Sequence, residues 1–104
     1  MSYLEGTIHL NGCKSLTFFH AKGNFDYPDL SACVSLKELY ILDRYTDRSA
    51  LDISKCTELE TAIISASLLS VTNNKKLKTL NCNDVLVDIL DLTNLPLLEE
   101  LVLR

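Results

Sequence analysis

The stretch Leu51-Asp-Ile-Ser-Lys-Cys-Thr-Glu-Leu-Glu-Thr-Ala-Ile-Ile64 decides the fold, because its apolar residues stand at intervals that return along the chain. An apolar pair, Leu51 and Ile53, is followed by the small residue Cys56. Leu59 then opens a leucine-led pattern that ends at Ile64. Self-similarity of this kind is the signature of a repeat architecture.

Five segments fit the pattern, and the residue that opens the leucine-led part is the same in all of them. Those positions are Leu16, Leu36, Leu59, Leu77 and Leu98. We place the repeats at about 8–27, 28–50, 51–68, 69–89 and 90–104, after a partial repeat at 1–7, within one domain. The third spacing, 18 residues, is the shortest. It predicts a trimmed turn near residues 65–68.

Each repeat contains two places where apolar and polar residues alternate. Leu39-Tyr40-Ile41 alternates inward, outward and inward, as a short strand does, and Leu51 with Ile53 forms a second wall. No repeat can bury its apolar face alone, so stacking must supply one continuous core. We therefore expect an α/β-type repeat solenoid. It would be a right-handed coil with a short parallel β-sheet on the concave face and mostly irregular or briefly helical turns on the convex face.

Leu51-Asp-Ile-Ser-Lys-Cys-Thr-Glu-Leu59 and Leu90-Asp-Leu-Thr-Asn-Leu95 resemble the units of the irregular leucine-rich repeats in bacterial surface proteins of the BspA-like type. The similarity covers residues 8–104 and implies that the chain recognises a protein partner. The chain departs from the family where an Asn should follow each strand by three residues. These positions hold Asn24, Arg44, Ser67 and Val85. Turn amides at the last three must therefore find other partners.

Net charge and apolar run lengths exclude several classes of function. A net charge of −4 and a pI of about 5.0 argue against binding nucleic acid, which needs a basic stripe. The N-terminal residues lack the basic and apolar regions of a secretion signal, and no apolar run is long enough to insert into a membrane.

Cys13, Cys33 and Cys56 occupy one repeat position, which Asn74 and Leu95 take in the later repeats. We interpret it as a small buried slot, and Cys82 as an inward strand residue. Spacing typical of zinc ligands is absent. Stacked cysteines could form disulfides, but their side chains would point in parallel, so we favour free thiols. Free thiols slightly favour a cytoplasmic location, and a fragment of a cell-surface protein is the alternative.

A column of carboxylates is expected on the wall opposite the leucine-led strands. Asp29, Asp52 and Asp91 share one outward position, which His9 and Ser70 interrupt. The column could bind calcium, but the glycine-rich pattern of calcium-binding solenoids is missing. We therefore expect a solvated acidic face and no metal or cofactor.

Outward residues of the leucine-led strands give the candidate partner-binding site. The chosen residues are Phe18, His20, Lys22, Glu38, Tyr40, Leu42, Ile63, Asn81 and Val102. Several are apolar at positions that should face water, so they could form one contiguous patch. The alternative is that these residue types simply favour strands.

The sequence brings no nucleophile, base and orienting acid together, so we expect a protein-interaction module and not an enzyme. The alternative is a structural segment of a longer array with no ligand of its own. Residues 1–7 read as the tail of a repeat, and Arg104 directly follows a strand residue. We therefore also expect self-association through exposed solenoid ends.

Overall fold

The computed structural model describes residues 4–42, 50–68, 70–82, 84–85 and 92–104, and these ranges contain strands and no helix. The strands are Leu4–Thr7 (β1), Phe18–Asp26 (β2), Glu38–Leu42 (β3), Ala50–Leu51 (β4), Thr61–Ile64 (β5), Ser67–Leu68 (β6), Thr79–Cys82 (β7), Asp84–Val85 (β8) and Glu100–Leu103 (β9).

The strands form two parallel sheets that the chain visits in turn. Six strands pair in the order β1-β2-β3-β5-β7-β9, and three short strands pair in the order β4-β6-β8. From β3 onward the chain alternates between the two sheets, which makes a parallel β-solenoid of about four turns. The repeat solenoid is therefore confirmed. The α/β character that we expected is not found in the described ranges, where strands β4, β6 and β8 stand in place of some irregular turns.

One backbone turn recurs wherever the chain approaches the six-stranded sheet. In the third repeat Cys56 N donates to Ile53 O at 3.0 Å, and Leu59 N donates to Cys56 O at 3.2 Å. The same two bonds recur in the other repeats, at Cys13 and Leu16, Cys33 and Leu36, Asn74 and Leu77, and Leu95 and Leu98. Equal sequence spacing thus produces equal local geometry, although the intervening loops differ in length.

The core runs through the stack and includes all five opening leucines. Leu36, Leu59 and Leu77 are fully buried, whereas Leu16 and Leu98 are half-buried and pack against the same cluster. The outer two lie in the first and last turns, so each has a neighbouring turn on one side only. Burial therefore follows position in the stack.

The short third repeat is closed by a trimmed turn, as its spacing predicts. Only Ser65 and Ala66 separate β5 from β6. The predicted repeats begin at Leu51 and Leu69, which makes these residues equivalent, and this is wrong for the second sheet, where Leu68 pairs with Leu51. The connection of two residues between β5 and β6 returns the chain to the three-stranded sheet one residue earlier than predicted. Leu69 and its equivalent Leu90 lie outside the described residues.

Strand β2 is longer than the repeat pattern predicts, because its second half, Gly23–Asp26, pairs with β1. Phe25, which the sequence pattern did not single out, is almost completely buried there. Asn24 pairs with Glu5 inside this ladder, so it does not occupy a turn as the family pattern implies. Gly23 has a φ of 135°, a conformation that other residues rarely adopt.

Backbone pairing also replaces the missing turn asparagines further along the chain. Ser67 lies in β6 and Val85 in β8, where the family pattern has Asn. Ser67 pairs with both Ala50 and Asp84 in the three-stranded sheet. The second sheet therefore supplies the partners that these amides need. Arg44 lies outside the described residues.

Candidate functional site

Outward residues of the six-stranded sheet stand in the register that the sequence predicts. In the first column Phe18 pairs with Glu38, and in the second His20 pairs with Tyr40. The second column continues through Ile63, Asn81 and Val102, and the third begins with Lys22 opposite Leu42. We call this surface the outer face. The structure places all nine candidate residues on it.

Three aromatic side chains at one end of the outer face contact one another. The ring centroids of Phe18 and Tyr40 are 5.7 Å apart, those of His20 and Tyr40 are 5.5 Å apart, and those of Phe18 and His20 are 6.4 Å apart. The rings are tilted by 45° to 75° and do not stack face to face. Tilted rings can attract one another and still leave ring faces accessible. We call these three residues the aromatic cluster.

Glu38 supplies a carboxylate beside the aromatic cluster. The Tyr40 hydroxyl donates to Glu38 Oε1 at 3.1 Å, so the two side chains fix each other's orientation. Partial burial and the acceptor Glu38 raise the pKa of Tyr40 above its ordinary value of 10.0. The phenol therefore stays protonated at neutral pH and remains a donor.

The apolar patch that we expected is only partly continuous. Tyr40 pairs with Ile63, so the apolar surface continues from the aromatic cluster on β2 and β3 to β5. The polar Asn81 then lies between Ile63 and Val102 in the same column. Val102 is therefore separated from the rest, and the centre of the apolar surface lies near Tyr40.

Ion pairs between neighbouring repeats lie beside the start of the strands. Lys78 Nζ lies 3.4 Å from Glu60 Oε1, and Lys76 Nζ lies 2.8 Å from Glu58 Oε1. All four side chains are substantially exposed, so each pair contributes little to stability. The charges within each pair neutralise one another. The outer face is therefore bordered on this side by residues of both charges.

The position shared by Cys and Asn in the repeats forms a ladder of donors, a role that the sequence analysis did not assign to it. Asn74 Nδ2 donates to Ile53 O at 3.0 Å and to Cys56 O at 3.1 Å in the preceding repeat. The Cys56 thiol donates more weakly to Leu30 O at 3.9 Å. Each of these carbonyls also accepts a backbone N–H within its own turn, so the side chain provides a second donor. A small apolar slot is therefore an incomplete description of this position.

The ladder ends at Leu95, which is buried in the next repeat but has no side-chain donor. Asn74 Oδ1 is buried and has no hydrogen-bond partner in the described part of the chain. An alternation of Cys, Asn and Leu at one position was the available signal. Cys and Asn can both donate a hydrogen bond, which indicates a backbone carbonyl as acceptor. The prediction of a small buried slot considered only the size of these side chains.

All four cysteines are free thiols. Cys33, Cys56 and Cys82 are buried, whereas Cys13 is only half-buried, so the prediction of a buried slot is wrong for Cys13. Burial raises the pKa of Cys56 to about 12, and it also raises the pKa of Cys33. Thiols in this state are poor nucleophiles.

The acidic column organises local turns. Asp29 Oδ1 accepts a hydrogen bond from Ser31 N, and Asp52 Oδ1 accepts one from Ser54 N, both at 2.9 Å. These contacts with Ser31 and Ser54 lower the pKa of each carboxyl. At Ser70, which interrupts the column, the hydroxyl oxygen accepts a hydrogen bond from the backbone in the same way. Asp91 lies outside the described residues.

Within the ranges that the structure describes, no group of three His, Cys, Asp or Glu side chains is arranged to hold a metal ion. No helix of the described residues has the length and apolar character needed to cross a membrane. Comparison of the chain with protein-family models, with curated proteins and with solved structures gives no significant match.

Proposed function

We propose that the chain is an irregular leucine-rich-repeat coil of the bacterial type and that its outer face binds a protein partner. In this proposal the coil is right-handed and the six-stranded sheet forms its concave face. The role is non-enzymatic and needs no cofactor. Repeat solenoids commonly use an extended sheet of this kind for recognition.

The leucine-rich assignment is supported by the register of the strands. Leu39, Ala62 and Leu80 stand opposite one another in adjacent strands, and so do the outward residues beside them. The opening leucines precede each strand at a constant distance. This is the arrangement expected when a leucine-led motif repeats once per turn.

The observation that carries the binding proposal is the aromatic cluster. Phe18 has 50% of its surface exposed although it contacts Tyr40 on the next strand. Both residues lie on paired strands, so a partner would meet side chains whose backbone is already ordered. Aromatic side chains on such a framework are typical anchors of protein interfaces.

A peptide-display selection against the immobilised chain tests this proposal. We expect selected peptides to bind the original chain and to lose about 2 kcal/mol or more of binding free energy on the double change Phe18→Ser and Tyr40→Ser. The variant should stay folded, because Phe18 is exposed and Tyr40 is outward-facing.

The matched control is Val34→Ser with Leu97→Ser. These residues are 45% and 47% exposed, close to the value for Phe18, but they lie in turns outside the outer face. Peptides that lose equal affinity to both double variants would contradict the proposed site, because general loss of apolar surface would then explain binding.

A structural role in a longer array is the second candidate, and the last strand favours it. Leu101 and Leu103 of β9 are 37% and 43% exposed, although they stand opposite the buried Leu80 and Cys82. A further repeat, or a second copy of the chain, stacked on β9 would cover them.

Light scattering over a range of concentrations tests this second candidate. Stacking between copies predicts a mass above 11.7 kDa that rises with concentration. It also predicts that Leu101→Ser with Leu103→Ser restores the mass of a single chain. A mass that stays at that of one chain would remove the support for association between copies.

A further inference from the structure

We propose that the aromatic cluster and Glu38 form a receptor for an arginine side chain of the protein partner. This inference rests on the proposed function. It adds the chemistry of the residue that the outer face receives, and it identifies Glu38 as the residue that sets specificity for a cation.

The aromatic cluster brings three ring centroids to within 6.4 Å of one another. A cation is attracted to an aromatic ring when it lies within about 6 Å of the ring centroid. The centroid of Tyr40 lies 5.7 Å from that of Phe18 and 5.5 Å from that of His20. Because these separations are similar to the range of the interaction, one cation can contact two rings at once.

Glu38 places a negative charge at the same point of the sheet. It pairs with Phe18 across the strands, and its Oε1 accepts the hydrogen bond from the Tyr40 hydroxyl. A carboxylate has about four lone-pair sites, so one donated bond leaves room for a guanidinium. Because Tyr40 already holds the carboxylate in place, a ligand loses less free energy in ordering it.

Arginine fits this arrangement better than lysine. Its guanidinium is planar, so it can stack on a ring and pair with a carboxylate through two nitrogens, whereas an ammonium is a compact and strongly hydrated charge. The chain has a net charge of −4, which favours the approach of a cationic segment. Lys22 lies two residues beyond His20, opposite Leu42, so the arginine would enter from the Phe18 side.

Nuclear magnetic resonance titration of the whole chain with end-blocked Gly-Arg-Gly tests the inference. Matched probes replace arginine with lysine or with the uncharged analogue citrulline. We expect the ring signals of Phe18 and Tyr40 to shift, with the arginine peptide binding about tenfold more tightly than the citrulline peptide.

Two variants distinguish the contribution of the Phe18 ring to arginine binding from that of the Glu38 carboxylate. Phe18→Leu keeps an apolar side chain but removes a ring face, and Glu38→Gln keeps the acceptor but removes the charge. We expect each to weaken binding of the arginine peptide about fivefold. Glu99→Gln is the control for charge, because Glu99 is exposed and just precedes β9, three strands from Glu38 along the sheet. It should leave the affinity unchanged.

Three outcomes would overturn the inference. They are equal binding of the citrulline and arginine peptides, equal losses from Glu38→Gln and Glu99→Gln, and the absence of ring shifts. Displayed peptides that lack arginine but depend on Phe18 and Tyr40 would overturn the arginine receptor and leave the proposed function standing. If no displayed peptide depends on the cluster, the proposed function fails as well.

Discussion

The central turns and the last turn have the same sequence pattern but different burial. Leu39, Ala62 and Leu80 are fully buried, whereas Leu101, which follows in the same column, is 37% exposed. The three buried residues have a neighbouring strand on both sides, whereas Leu101 lies in β9 at the edge of the sheet. In a solenoid each residue contacts only its own turn and the adjacent ones, so stability is distributed by position in the stack.

The largest expected effect comes from shortening a leucine in a central turn. We expect Leu59→Ala to lower the free energy of unfolding by about 2 to 5 kcal/mol, because it opens a cavity in the fully buried part of the core. At the open end Leu101 of β9 is 37% exposed, so Leu101→Ala should cost less than about 1 kcal/mol, because that side chain remains partly in water.

Chemical denaturation of the two leucine variants measures both values. If they destabilised the chain equally, the contrast between central and terminal turns would be wrong. If Leu59→Ala unfolded at the denaturant concentration of the parent chain, the repeat register itself would be wrong.

The donor ladder predicts a smaller effect in a central turn. Asn74→Leu keeps a residue type that position 95 accepts, but it removes the bonds to Ile53 O and Cys56 O. We expect a loss of about 1 to 3 kcal/mol in the free energy of unfolding, because two buried hydrogen bonds are lost and each carbonyl keeps only the bond from its backbone donor.

Asn73→Leu is the control for the ladder, since Asn73 Nδ2 donates to Ser54 O at an exposed site. Water can replace that bond, so the variant should stay within about 0.5 kcal/mol of the parent. A cost for Asn74→Leu as small as that for Asn73→Leu would show that the ladder does not contribute to stability.

The reactivity of the thiols should differ between the first turn and a central turn. Cys13 is half-buried, whereas Cys56 is fully buried and burial raises its pKa to about 12. We expect Cys13 to be alkylated at least about tenfold faster in the folded chain, because Cys56 must wait for an opening of the stack. Mass spectrometry of peptides from a timed reaction gives both rates, and comparable rates would contradict the burial contrast.

The raised pKa of Cys56 also has a consequence for stability at high pH. The folded chain keeps the thiol protonated, while the unfolded chain releases the proton near the ordinary value of 9.0. This contribution is therefore complete below pH 9 and is lost as the pH rises towards 12. Cys56→Ala should flatten part of that decline, as measured by denaturation at several alkaline pH values.

The smallest effect concerns contacts that are local and should not depend on position in the stack. Hydrogen bonds from Ser54 lower the pKa of Asp52, and those from Ser31 lower the pKa of Asp29. We expect Ser54→Ala to raise the pKa of Asp52 in a carbon-detected titration and to leave Asp29 unchanged. Ser31→Ala should do the reverse.

The lowered carboxyl pKa values stabilise the folded chain above the ordinary value of 3.8. This contribution is lost as the pH falls below that value through the folded pKa. Equal shifts of both carboxyls in either serine variant would show that the turns are coupled through the stack.

The sequence by itself determined the repeat, the parallel register of β2, β3, β5, β7 and β9, and the residues on the outer face. Alternation within a strand fixes which side chains share a face, and a one-residue slip would turn the apolar set outward. Constant spacing from each opening leucine then aligns the strands. The trimmed turn at Ser65 and Ala66 followed from the same spacing.

Only the tertiary structure decided which of these residues contact one another and which groups satisfy buried carbonyls. Tyr40 meets Phe18, and Asn74 meets the carbonyl of Ile53, because stacking brings together atoms that are far apart in the chain. Pairing of β1 with the second half of β2 likewise depends on space beside the stack. Local spacing carries no information about such contacts, since they form between turns whose connecting loops vary in length.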